Sequence, residues 1–195
     1  MYFLGIRSKA SCLACGCAVL AALIVSGPAQ AATGGTGIPA ETAPTSPPPS
    51  TPSTVPGAKA RLVNGLAIPP GSAPPAVQEV IAAANRISQR PYKWGGGHGA
   101  WASSGYDCSG AVSYALHGGG FLDSPLDSSG LKRWGERGRG SWITVHTNRG
   151  HAYAVIAGLR WDSSGNASGI SGPRWHKNNR AATSGRYAVR HAPGY

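Results

Sequence analysis

Cys108 stands in the run Gly105-Tyr106-Asp107-Cys108-Ser109-Gly110, with several histidines downstream. A thiol attacks as its thiolate, and the free group, with a pKa of about 8.5, must be made more acidic to work near neutrality. Two devices achieve this. The positive end of a helix dipole stabilises the anion, and an adjacent imidazole pairs with it and later gives a proton to a leaving group. His151 is the best partner in the sequence. It opens an apolar run directly after the turn signal Asn148-Arg149-Gly150, at a sheet rim from which a side chain can face a helix terminus. The competing reading is a histidine that merely closes a hairpin.

An imidazole in such a role needs a polar group to orient its second nitrogen. His176, on the strand expected after the His151 strand, is the first candidate, with Asp162 and His146 as rivals. Cys108, His151 and His176 together would also suit a zinc ion with one open position. No close-spaced ligand pair supports that reading. Gly95-Gly96-Gly97-His98 lacks the lysine and the serine or threonine of a phosphate-binding loop, which excludes that function.

These residues need elements to carry them. Prolines 74 and 75 suit a helix start, and Val77, Val80, Ile81, Ala84 and Ile87 then form one stripe. That helix is expected to end by Pro91. A flexible Gly95-Gly96-Gly97 loop follows, and a second helix begins at or just before Cys108 and stops at Gly118-Gly119-Gly120. Residues 142–147 alternate as a strand, residues 151–161 form a nearly continuous apolar run expected as one central strand, and short strands are expected at 174–176 and 186–191. Helices first and strands afterwards predict an α+β domain, with helices packed on a small antiparallel sheet.

Around this domain the composition changes sharply. Arg7 and Lys9 precede an apolar run over residues 12–25, and Ala29-Gln30-Ala31 follows as a small-x-small pattern. The run falls short of the roughly 20 residues that span a bilayer, so residues 1–31 are expected to be a cleaved export signal. Cys12, Cys15 and Cys17 would leave with it, so Cys108 would have no cysteine to pair with. Residues 32–73, rich in Pro, Thr, Ser, Ala and Gly at first, read as a linker, disordered to about residue 57. The segment 59–73 has a few apolar residues that could rest loosely on the domain. Residues 74–195 are long enough for one core. Without Arg7 and Lys9 the chain has 16 basic against 7 acidic residues, a surplus that attracts polyanions.

Pro91-Tyr92-Lys93-Trp94-Gly95-Gly96, then Tyr106-Asp107-Cys108-Ser109-Gly110, then His151-Ala152-Tyr153-Ala154-Val155-Ile156-Ala157-Gly158, resemble the NlpC-type papain-like cysteine peptidases of bacterial cell walls. The resemblance covers residues 74–195. It implies a papain-like core and hydrolysis of an amide in peptidoglycan stem peptides, commonly the bond between D-glutamate and the following diamino acid. It implies Cys108 as nucleophile, His151 as base and His176 as third polar residue. Tyr92 would line the site and bond substrate or oxyanion, while Asp107 and Ser109 would shape the helix start and bind charged groups of the substrate. Trp94, Trp101 or Trp175 could stack on a glycan or peptide. No cofactor is called for. The expected setting is secreted or attached to the cell wall, as a monomer, with peptidoglycan peptides and the anionic envelope as partners rather than nucleic acid.

The sequence departs from the family in two places. The strand before His151 is approached through Arg137-Gly138-Arg139-Gly140-Ser141 instead of a proline-glycine-aspartate turn, and residues 162–172 form a Gly/Ser-rich insertion before His176. Two other functions fit the same residues: a catalytically inactive module that binds the envelope, and a thiol acyltransferase or amidase acting on another substrate.

Overall fold

A computed structural model describes residues 54–55, 57–165, 170–177 and 186–195. The export signal expected at 1–31 and the linker expected up to residue 53 lie outside the described residues. The folded unit falls within Pro48–Tyr195.

The end of the expected linker belongs to this unit. Strands β1 (Arg61–Val63) and β2 (Leu66–Ile68) form an antiparallel hairpin around Asn64-Gly65, both at positive φ, as a two-residue turn of this hand requires. Asn85 clamps the hairpin through one peptide: its Oδ1 accepts the Ala67 N–H at 3.0 Å and its Nδ2 donates to the Ala67 carbonyl at 2.8 Å. Ala60, Ala67 and Ala73 are buried. The attachment uses small residues and a side-chain amide, so apolar content alone understated it.

Helix α1 (Pro75–Ile87) buries Val77, Val80, Ile81, Ala84 and Ile87, the stripe read from the sequence. Each such side chain contributes about 1.5–3 kcal/mol when fully buried. It ends before Pro91, at Ser88. Helix α2 (Cys108–Gly118) packs on it, and Gly118 and Gly119 permit the approach, because a Cβ on either would collide with Ala83 or Val80. A short α3 (Ser128–Leu131) and strand β3 (Glu136–Arg137) occupy the polar stretch that follows.

The remaining strands are β4 (Ile143–Thr147), β5 (Ala152–Ile156), β6 (Leu159–Asp162), β7 (Arg174–His176) and β8 (Ala188–His191). With β3 they form one antiparallel sheet in the order β3-β8-β4-β5-β6-β7. The architecture is thus α+β. One expectation fails here: residues 151–161 are two strands, not one. Ala157 and Gly158 form a two-residue hairpin turn with φ of 45° and 84°. Alanine disfavours that region, and backbone bonds hold it there: Ala157 N–H donates to Trp142 O at 2.8 Å, and Ala157 O accepts Ala60 N–H at 2.9 Å.

The extra hairpin decides what meets what. Ile156 pairs with Leu159 and Ala154 with Trp161, so Asp162 lies one step further, level with Tyr153 and on the face that carries His151. The opposite face, with Ile143, Val145, Ala154, Ile156 and Trp161, forms the core against the helices. Trp161 Nε1–H donates to the Ala111 carbonyl at 3.0 Å. This bond ties the strand that ends in Asp162 to the helix that begins with Cys108.

Candidate functional site

Cys108 is the first residue of α2, as the sequence predicts, and Asp107 is its N-cap. Asp107 Oδ1 accepts the Gly110 N–H at 2.7 Å, which satisfies one of the orphan donors of the first turn. Its Oδ2 accepts the Gly95 N–H at 3.1 Å, and His98 Nε2 lies 3.0 and 3.1 Å from the two oxygens. Ser109 Oγ–H donates to Asp107 Oδ1 at 3.3 Å and lies 3.2 Å from His98 Nε2. One carboxylate therefore fastens the glycine loop to the start of the helix. The loop presses so close that a Cβ on Gly110 would strike the Gly96 carbonyl.

His151 arrives on the β4–β5 turn. Asn148 Oδ1 accepts the N–H groups of Gly150 and His151, each at 2.9 Å, and Asn148 N–H donates to His151 O at 2.9 Å. The imidazole is buried and hydrogen-bonds the Cys108 thiol. Its Nε2–H donates to Asp162 Oδ1 at 2.9 Å and lies 3.2 Å from Ser164 Oγ. With Nε2 so engaged, Nδ1 is the nitrogen left for sulfur. Ser164 braces the carboxylate, its N–H and Oγ–H donating to Oδ1 at 2.9 and 3.0 Å. Behind it, Arg160 Nε is 3.5 Å from Asp162 Oδ2, both side chains being buried.

The electrostatics follow from these contacts. Burial works to raise the Cys108 pKa. The His151 hydrogen bond, the Ala152 backbone N–H and the imidazolium charge outweigh it and bring the thiol below its ordinary range. For His151, burial favours the neutral ring, but the Asp162 and Cys108 hydrogen bonds and charges raise its pKa from 6.5 to about 9. The two titrate as a pair. Both shifts run toward the thiolate–imidazolium pair, with the helix N-terminus beside the sulfur.

His176 is not the partner of His151. It sits on β7 opposite Arg160, and its Nε2 is buried without a hydrogen bond. Burial and the Arg160 charge lower its pKa, so it stays neutral beside a buried cation. The register explains the correction: the Ala157-Gly158 turn inserts β6 between the His151 strand and the His176 strand, and brings Asp162 to the imidazole first. His146, the other rival, stacks on Tyr153 with ring centroids 4.6 Å apart.

Cys108 opens into a cleft of about 280 Å³ lined by Tyr92, Trp94, His98, Asp107, Ser109 and Arg149, among others. All four residues expected to contact substrate, Tyr92, Trp94, Asp107 and Ser109, are thus at the cleft. Asp107 and Ser109 also spend hydrogen bonds on holding the helix start. Tyr92 is 39% exposed. Burial, then the nearby charges of Cys108 and Asp107, raise its pKa above 10.0, so its hydroxyl remains a donor. Trp94 is 86% exposed, free to cover a ligand. Trp101 instead stacks on His117, and Trp175 is buried against Trp161 and donates to Asn85 Oδ1.

Ser164 and Arg149 escaped the sequence reading, the first because it lies in the Gly/Ser-rich insertion and the second because it was read only as part of a turn. What singles out Asp162 is the Ala157-Gly158 hairpin, of which Gly158 is the one local sign. Among the described residues no three His, Cys, Asp or Glu side chains converge to hold a metal ion. The arrangement can attack an electrophilic carbonyl with sulfur and relay a proton through His151. No protein-family model matches this chain, and no curated protein matches it as a relative.

Proposed function

We propose that this protein is an exported cysteine peptidase that hydrolyses an amide bond in peptidoglycan stem peptides, between D-glutamate and the following diamino acid, on a papain-like scaffold related to the NlpC-type enzymes. The observation that carries the reading is the Cys108–His151–Asp162 constellation, with its sulfur at a helix N-terminus in an open cleft. The three sequence blocks and the basic surplus of the chain support the envelope substrate.

In this mechanism the Cys108 thiolate attacks the scissile carbonyl. The Cys108 N–H, unpaired as a first-turn donor, and the Tyr92 hydroxyl hold the oxyanion, each such donor being worth about 3 kcal/mol. His151 protonates the departing amine, which leaves a thioester. The neutral ring then takes a proton from water as it attacks the thioester, and the acid is released with the thiolate restored. Asp162 keeps the ring oriented and stabilises its charged form.

The test is mass analysis of purified peptidoglycan after incubation with the wild-type protein and with Cys108→Ala. New amino and carboxyl termini at the glutamyl bond, formed only by the wild type, with the oxygen of isotopic water in the new carboxyl group, are the expected result. Fragments that carry another nucleophile would make the protein an acyltransferase. Unchanged peptidoglycan would leave it an envelope-binding module.

A further inference from the structure

The charges that line the cleft are unevenly engaged. Asp107 gives both carboxylate oxygens to backbone N–H groups and His98, and Asp127 Oδ1 caps α3 through the Gly130 N–H. Arg149 is the one Lys or Arg among the described residues that line it. Its side chain is exposed, and among the described residues no Asp or Glu forms an ion pair with it. Its backbone belongs to the Asn148 turn that delivers His151. A group held by Arg149 is therefore bound beside the turn that carries the imidazole.

A planar guanidinium lining a cleft recognises a carboxylate through two parallel hydrogen bonds. Resting on the peptidase reading above, we propose that Arg149 is a specificity-determining residue that binds the free α-carboxylate of the glutamyl residue whose side-chain amide is cut. The enzyme then prefers stem peptides in which that carboxylate is free to those in which it is amidated. A carboxamide carries no charge and turns N–H donors toward a residue that has only donors. Because the cleft is open to water, the discrimination is about tenfold, at the low end for a charge-assisted bond.

Two synthetic peptides, L-Ala-γ-D-Glu-diamino acid and the same peptide with an α-carboxamide, test this with wild type, Arg149→Gln and Arg149→Lys. Expected is about a tenfold advantage in kcat/KM for the free acid with wild type, carried mainly by KM. Arg149→Gln cleaves both peptides equally, and Arg149→Lys falls between. Equal cleavage by wild type, or a preference that survives Arg149→Gln, overturns the role of Arg149 while leaving the peptidase intact. Cleavage of neither peptide, with Cys108 still alkylated readily by iodoacetamide, overturns the peptidase reading and this inference together. Calorimetric binding of both peptides to Cys108→Ala adds a readout that does not need turnover, and equal affinities there also refute the assignment.

Discussion

Replacing Asp162 with Asn keeps an oxygen for the His151 Nε2–H and for Ser164 but removes the negative charge. The raised His151 pKa, from 6.5 to about 9, corresponds to about 3 kcal/mol in favour of the imidazolium. Asp162 and Cys108 share that effect. If Asp162 supplies a little over half, Asp162→Asn costs the charged ring about 2 kcal/mol and reduces the thiolate–imidazolium population roughly 30-fold. The assay is Cys108 alkylation by iodoacetamide against pH, with hydrolysis measured in parallel. The alkaline limb of hydrolysis, set by loss of the His151 proton, should move from near 9 toward 6.5, and alkylation at neutral pH should slow. His176→Gln should change alkylation less than about twofold, since His176 touches neither sulfur nor the His151 ring. Asp162→Asn also leaves Arg160 buried without its counter-charge, a loss worth about 3–5 kcal/mol. Asp162→Asn/Arg160→Met removes both charges and separates folding from chemistry. Unchanged alkylation in a folded Asp162→Asn variant, or a larger effect from His176→Gln, would refute the assignment of the third residue.

Two further outcomes follow from the same contacts. Asp107→Ala removes the N-cap and releases the glycine loop and His98; thermal or urea unfolding should show a loss of about 2 kcal/mol, the upper end for a cap, and Cys108 alkylation should slow because the helix start frays. In Cys108→Ala the raised His151 pKa leaves a clear trace in stability. The group binds its proton more tightly folded than unfolded, so its contribution is complete below pH 6.5 and is lost as pH rises toward 9, or somewhat lower without the thiolate. Tm should fall across that window, and it should fall much less in Cys108→Ala/Asp162→Asn; a flat Tm in the first variant contradicts the ion pair.

The positioning of the site rests on ties between distant segments. Trp161 fastens β6 to α2 through Ala111, Asn85 holds both Ala67 and Trp175, and the Ala157 turn is held from both sides by Trp142 and Ala60. The N-terminal hairpin thus supports the turn that brings Asp162 to His151. A segment that the composition assigns to the linker takes part in building the geometry of the candidate site.

Local pattern sufficed for α1, because its apolar stripe and opening prolines are fixed by the helical period. It sufficed for α2 as well, where the glycines mark the stop and Cys108 falls at the start. Cys108 and His151 were legible for the same reason, since each depends on a terminus or turn encoded by neighbouring residues. The third member was not. Whether Asp162, His176 or His146 meets the imidazole depends on strand register, and one two-residue turn changes which strand is adjacent. Ala157 gives that turn little local signal, because its positive φ is stabilised by backbone partners at Trp142 and Ala60, far away in the chain. Only the assembled sheet supplies those partners, so the sequence names the cysteine and the histidine and the tertiary structure selects the carboxylate that holds the ring.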